Sequence, residues 1–233
     1  MTNLVVVQGD SGAGKTTIRK YFGTELGFGQ YAIDNEINNL REAVGWDKIE
    51  FRPIIRQIVD SDFQYNFWRR FWSENDCTYS PETARQVIED HIDKMIAGEL
   101  LSDEDRFHIS YVCWKELMVK RDSDLLQGKD VVIEPFTSPP SRENAIKIEA
   151  ALLPVVRRYM IFLRADREVQ ITRRMEEKGY TRETALQRMG LALDLTPPNV
   201  QDLVVLKYVN NTPEDLERIK ADLRTRFGNP APL

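Results

Sequence analysis

Runs of aliphatic and β-branched residues alternate along the chain with stretches in which apolar positions recur every three or four residues. The runs at Leu4–Val7, Tyr31–Ile33, Val131–Ile133, Tyr159–Leu163 and Val204–Tyr208 predict short strands. Helical spacing predicts helices over Thr16–Leu26, Asn35–Ala43, Ser141–Leu153, Arg167–Arg188 and Pro213–Phe227, the last opened by Thr212-Pro213-Glu214. From Trp46 to about Gln127 the pattern is helical throughout. Phe63, Phe67 and Phe71 recur every four residues there, and Ser80-Pro81-Glu82 puts a proline at the first position of a further helix. Strands that alternate with helices predict an α/β fold: a parallel five-stranded sheet flanked by helices, with a helical insertion. The expected division is a core of residues 1–45 and 128–233 with the insertion at 46–127, and a frayed tail from Gly228.

Composition narrows the class. With 233 residues, 42% hydrophobic and 30% charged, the chain can bury one sizeable core and is not a disordered polymer. Its 32 basic against 37 acidic side chains, a net charge of -5, argue against a nonspecific coat for nucleic acid, although a local basic groove remains open. Cys77 and Cys113 alone make neither a disulfide framework nor a zinc cluster, and His91 and His108 have no partners at metal-ligand spacing. No apolar run approaches the roughly 20 residues that span a bilayer. A cytoplasmic protein that engages no membrane is the expectation.

The strongest chemical signal is Gly9-Asp10-Ser11-Gly12-Ala13-Gly14-Lys15-Thr16, which satisfies the P-loop pattern in full and stands between a predicted strand and a predicted helix. Its glycines let successive amides face phosphate oxygens, and the helix N-terminus adds positive potential. Lys15 reaches the outer phosphates and the Thr16 hydroxyl binds magnesium. The expected cofactors are ATP and Mg²⁺.

A P-loop does not by itself separate a kinase from a switch, so the acceptor side has to decide. Asp34 closes the second predicted strand, where a carboxylate can take the proton of an attacking hydroxyl; the competing role is a cap for the next helix. Glu134 closes the third, where it can serve the metal or stand as a plain strand-end carboxylate. The segment 164–190 is rich in arginine (Arg164, Arg167, Arg173, Arg174, Arg182 and Arg188). It predicts either a lid that stabilises transferring charge or a solvated helix paired to Glu176, Glu177 and Glu183.

Taken together, these blocks resemble the P-loop nucleotide-kinase group, and within it the dephospho-coenzyme A kinases. The resemblance rests on Gly9 to Thr17, Ala32-Ile33-Asp34-Asn35-Glu36, Val131 to Phe136, and Gln170-Ile171-Thr172-Arg173 with Glu183 to Arg188. It extends to Asp202–Asn211, followed by Thr212 to Leu216. It implies Asp34 as the catalytic base, Arg173 and Arg188 as phosphate-facing lid residues, and Asn210 or Asn211 near the adenine. Lys178 departs from the family's second lid arginine, and the 46–127 stretch does not match its acceptor region.

The function expected from the sequence is transfer of the γ-phosphoryl group of ATP to a hydroxyl of a nucleotide-like acceptor. A nucleoside monophosphate and 5-hydroxymethyluracil within phage DNA are the other acceptors. An ATP-dependent switch whose insertion docks a protein is the alternative outside catalysis. Trp68, Arg69, Arg70, Phe71 and Trp72 bear on the DNA case, because aromatic faces interleaved with arginine can stack bases, but the four-residue spacing of Phe63, Phe67 and Phe71 and of Trp68 and Trp72 favours a buried helix face.

Overall fold

The computed structural model describes residues 2–43, 51–74, 101–147, 156–187 and 196–228, with isolated positions 82, 86, 89 and 189. The strands are β1 (Thr2–Gly9), β2 (Gly29–Ala32), β3 (Val131–Glu134), β4 (Val156–Arg164) and β5 (Leu203–Val209). They form one sheet in the order β2-β3-β1-β4-β5. The pairs of β1 with β3, β1 with β4 and β4 with β5 are parallel, with Gly9 opposite Leu163 at the end of β1. Leu4, Val5, Val6 and Val7 are all fully buried, as a central parallel strand covered on both faces requires.

The helices are α1 (Lys15–Glu25), α2 (Ile33–Ala43), α3 (Phe51–Ile58), α4 (Ser61–Glu74), α5 (Asp103–Leu126), α6 (Pro139–Ile146), α7 (Arg167–Lys178), α8 (Arg182–Gln187) and α9 (Pro213–Phe227). Among the described residues none is long and apolar enough to cross a membrane. The α/β fold with a five-stranded parallel sheet is the one expected from the sequence.

Three boundaries differ from the sequence reading. The second strand begins two residues earlier and ends one residue earlier, because Ile33, Glu36, Ile37 and Leu40 form one buried helical stripe that draws Ile33 into α2. The helix expected over 141–153 ends at Ile146, where Lys147 turns to extended backbone. The buried Arg121 guanidinium donates there to the carbonyls of Ala145 (3.1 Å) and Lys147 (2.9 Å). The helix expected over 167–188 is broken at Gly179, whose φ of 63° ends α7 in the left-handed conformation that glycine adopts without cost.

The chain forms two compact units. The first comprises Met1–Gln30, Asp124–Glu134 and Ile148–Leu233. On one side of its sheet Val5, Val7, Val132, Ile161 and Leu163 pack with Ile18 and Phe22 of α1 and with Ile219, Leu223 and Phe227 of α9. Phe22, Phe28 and Phe227 meet edge to face, with centroids 4.9–6.0 Å apart.

The second unit, Tyr31–Ser123 with Pro135–Lys147, is helical. Its core is the stripe whose role the sequence left open. Phe63, Phe67, Trp68 and Phe71 of α4 are buried, and the last three meet Phe107, Trp114 and Tyr111 of α5 at centroid distances of 4.7–5.5 Å. Arg70 spans the pair, with its guanidinium 3.6 Å from the Phe107 ring centre and both terminal nitrogens on the Glu104 carboxylate. Gln64, Ser141 and Ser138 form a buried hydrogen-bond chain, with Ser138 to Ser141 at 2.7 Å and Ser141 to Gln64 at 2.8 Å.

Candidate active site

The loop between β1 and α1 is built by glycines whose backbones residues with side chains rarely adopt. Gly9, Gly12 and Gly14 have φ of 150°, 80° and 92°. Gly14 is also the N-cap of α1 and contributes no capping side chain, and the first turn of the helix holds no acidic residue. The first intrahelical bond is Ile18 N–H to the Gly14 carbonyl. The amides of the first turn, Lys15 to Thr17, therefore keep their donors for something other than the helix. An N-terminus with no side-chain cap and no acidic residue in its own first turn is suited to an anion, and the loop fits a phosphate chain on that ground.

The Lys15 ammonium lies across the loop and donates to the carbonyls of Gly9 (3.1 Å) and Asp10 (3.0 Å). Ala13 is buried, and its N–H donates to the Asp10 carbonyl at 3.2 Å, which closes the turn. Thr16 and Thr17 are exposed at the first turn of α1.

The Thr16 hydroxyl lies 3.2 Å from each Glu134 carboxylate oxygen, so the strand-end glutamate stands next to the hydroxyl expected to bind magnesium. Among the described residues no group of three or more His, Cys, Asp or Glu could hold a metal. A hydroxyl and one carboxylate are too few ligands for a cation alone. They match the way magnesium is held through one or two protein oxygens together with substrate phosphates and water.

The arginine segment reaches this loop through α7. Arg173 Nη1 donates to the carbonyls of Gly12 and Asn210, both at 3.0 Å, and Arg174 bonds the Ser11 hydroxyl. Arg173 thus fixes the crest of the loop to the segment after β5. Arg182 pairs with Glu168 at an exposed site, the solvated alternative for this segment. Arg188 lies outside the described residues.

Asn210 is buried, its side-chain amide donating to the Ala13 carbonyl at 2.8 Å and its backbone N–H to the Arg164 carbonyl at 2.8 Å. Asn211 binds the start of α7, accepting the Asp166 N–H (2.7 Å) and donating to the Asp166 carboxylate (2.8 Å). The pair is held in turn by α9. Asp215 accepts the N–H groups of Asn211 (3.0 Å) and Thr212 (3.1 Å), and the Thr212 hydroxyl returns a bond to the Asp215 N–H. These backbone donors, Asn211 first, hold the Asp215 carboxyl below its ordinary range.

No protein-family model matches the chain, and no curated protein matches its sequence. Solved structures do match in fold. One is a protein from Chloroflexus aurantiacus J-10-fl that carries the provisional name of a kinase. It is 15% identical over 97% of this chain and 95% of that one, with a TM-score of 0.56. The chain shares its fold. Two further similar structures are a sugar kinase from Janibacter sp. HTCC2649 (18% identical, 98% and 96% covered, TM-score 0.49) and TT1252 from Thermus thermophilus (16% identical, 98% and 99% covered, TM-score 0.46).

The structure brings Lys15, Thr16, Glu134, Arg173 and Asn210 to one loop. Asp34 belongs to the helical unit, where it is exposed in the first turn of α2 rather than at the end of a strand. Two residues on, Glu36 is buried and accepts from Lys120 at 2.6 Å. The sequence reading missed Arg19, which is 6% exposed and pairs with Glu134 at 3.1 Å. The available signal was its place three residues after Thr16, which puts the two on one helix face.

Proposed function

We propose that the protein is an ATP-dependent phosphotransferase that acts on a hydroxyl of a nucleotide-like acceptor. The observation that carries this reading is the Thr16–Glu134 contact at 3.2 Å beside an uncapped, glycine-built helix N-terminus. It joins an anion site and a hard-cation site on adjoining residues. The kinase name of the Chloroflexus protein of the same fold supports the same class.

Bound Mg²⁺·ATP supplies the transferable phosphoryl group. The loop amides of residues 12–17 orient its phosphates, and Lys15 places a positive charge on the outer ones. Thr16 and Glu134 hold the cation. Asp34 accepts the proton of the acceptor hydroxyl. Arg173 keeps the loop crest in place, and Arg188 adds positive charge to the transferring group. Asn210 and Asn211 border the adenine. Residues 46–127 carry recognition of the acceptor.

A nucleotide-like small molecule is favoured over a base within DNA. Of the aromatic residues that could form a stacking platform, Phe63, Phe67, Trp68 and Phe71 are buried in the helical core, and Trp72 is half-buried with its indole N–H on Asn144; the net charge of -5 also opposes binding to a polyanion.

The test is transfer of labelled γ-phosphate from ATP to dephospho-coenzyme A, to each nucleoside monophosphate, and to DNA with and without 5-hydroxymethyluracil. Label is expected in a small-molecule acceptor, with a rate about 10²–10⁴-fold lower for Asp34→Asn, the usual contribution of a general base. Full activity of Asp34→Asn would remove the base role. Label in the DNA alone would reassign the acceptor.

A further inference from the structure

We propose that Arg19 is the positioning residue for the cation-binding carboxylate, and that Gly23 and Gln30 are present to hold Arg19 in place. The inference rests on the reading of Thr16 and Glu134 given above and adds residues to it that no sequence motif contains.

Thr16, Arg19 and Gly23 follow one another on α1 at spacings of three and four, so they line one helix face. Arg19 is 6% exposed. A guanidinium at that depth is costly unless its donors are matched. Its Nε donates to Glu134 Oε2 at 3.1 Å and its Nη1 to Gln30 Oε1 at 3.1 Å, one partner at the end of β3 and the other in β2. The same Glu134 carboxylate receives the Thr16 hydroxyl. A continuous chain therefore runs from Gln30 through Arg19 to Glu134 and Thr16.

Gly23 supplies the independent observation. A glycine inside a helix is unfavourable, and Gly23 does not have the positive φ that would call for one. The requirement is space. A Cβ at this position would stand 2.5 Å from Nε2 and 2.6 Å from Cδ of Gln30. The bare backbone lets the Gln30 side chain cross α1 and reach Arg19. The obstructing atoms belong to the far end of a flexible side chain, so alanine at position 23 would displace Gln30 and leave the helix whole.

Glu134 has rotatable bonds of its own, and a carboxylate that must meet a cation gains from having one oxygen fixed by a charged donor. Removal of such an outer partner typically weakens metal binding about 10–100-fold. The ligand class is a hard divalent cation bound together with a nucleoside triphosphate.

The experiment uses the full chain, a non-hydrolysable ATP analogue and Mn²⁺, with free Mn²⁺ read by its paramagnetic resonance. Arg19→Gln is expected to weaken Mn²⁺ in the ternary complex by about 10-fold or more, with Arg19→Lys recovering part of the loss. Gly23→Ala should weaken it by a smaller factor, about threefold, while melting at or above the wild-type temperature, a combination that a purely structural role for Gly23 does not give. Wild-type Mn²⁺ affinity in both Arg19→Gln and Gly23→Ala, with cooperative melting retained, would overturn the positioning role. If wild type and Lys15→Ala alike bind no Mn²⁺ with the analogue, the reading of the Thr16–Glu134 site fails and the positioning role fails with it.

Discussion

Replacement of Lys15 by alanine is expected to lower γ-phosphoryl transfer by about 10²–10³-fold, the size of effect seen when one preorganised donor to developing charge is removed. The ammonium is held over the mouth of the loop by the carbonyls of Gly9 and Asp10, at 3.1 and 3.0 Å. Both acceptors belong to the turn that the side chain crosses, so the nitrogen is already held at the loop on which the proposed function places the triphosphate. Lys15 itself is half-buried and is not part of the hydrophobic core. Melting temperature should therefore stay close to that of the wild type. A variant that keeps full transfer would show that the charge is not used. One that loses cooperative melting would show that Lys15 serves the fold.

The second large effect is on stability. Gly9→Ala is expected to cost several kcal/mol, beyond the roughly 1 kcal/mol of a typical point change, and to show as a large fall in melting temperature or in soluble yield. Gly9 stands opposite Leu163 in the β1–β4 register. A Cβ there would lie 2.1 Å from the Leu163 carbonyl oxygen, which also accepts the Asp10 N–H at 3.0 Å. The obstacle is backbone in the centre of the sheet and has nowhere to go. The φ of 150° adds strain for any residue with a side chain. The first glycine of the phosphate motif thus has a packing duty separate from phosphate contact. An alanine variant that is as stable as wild type would contradict this.

The sheet was legible in the sequence because its strands are short apolar runs bounded by turns, and Leu4–Val7 is buried on both faces. The glycine-built turn between β1 and α1 was legible because glycine spacing is a local property. Strand limits were less so. Ile33 reads as the end of a strand until its partners at 36, 37 and 40 are counted as a helical stripe. The aromatic run at 63–72 has the spacing of a core face, but the surface it packs against, Phe107, Tyr111 and Trp114 of α5, arrives only some forty residues later.

The partners of the loop were harder to see for the same reason. The end of a strand was a natural place for Glu134, and its contact with Thr16 followed from strand order. The link from Arg19 to Glu134 spans 115 residues and leaves no periodic trace. Gly23 looked like an ordinary weak point in a helix because the side chain it accommodates comes from β2. Arg173 was recognisable as a basic residue near the loop, yet its bonds to the carbonyls of Gly12 and Asn210 depend on how α7 leaves β4.

The measurement that bears most directly on the central claim is a calorimetric titration of the wild-type chain with ATP, with and without Mg²⁺, beside the same titration of Lys15→Ala. Saturable one-to-one binding is expected, tightening when Mg²⁺ is present and lost or strongly weakened in the variant. No saturable binding, or binding that neither Mg²⁺ nor Lys15 affects, would contradict it.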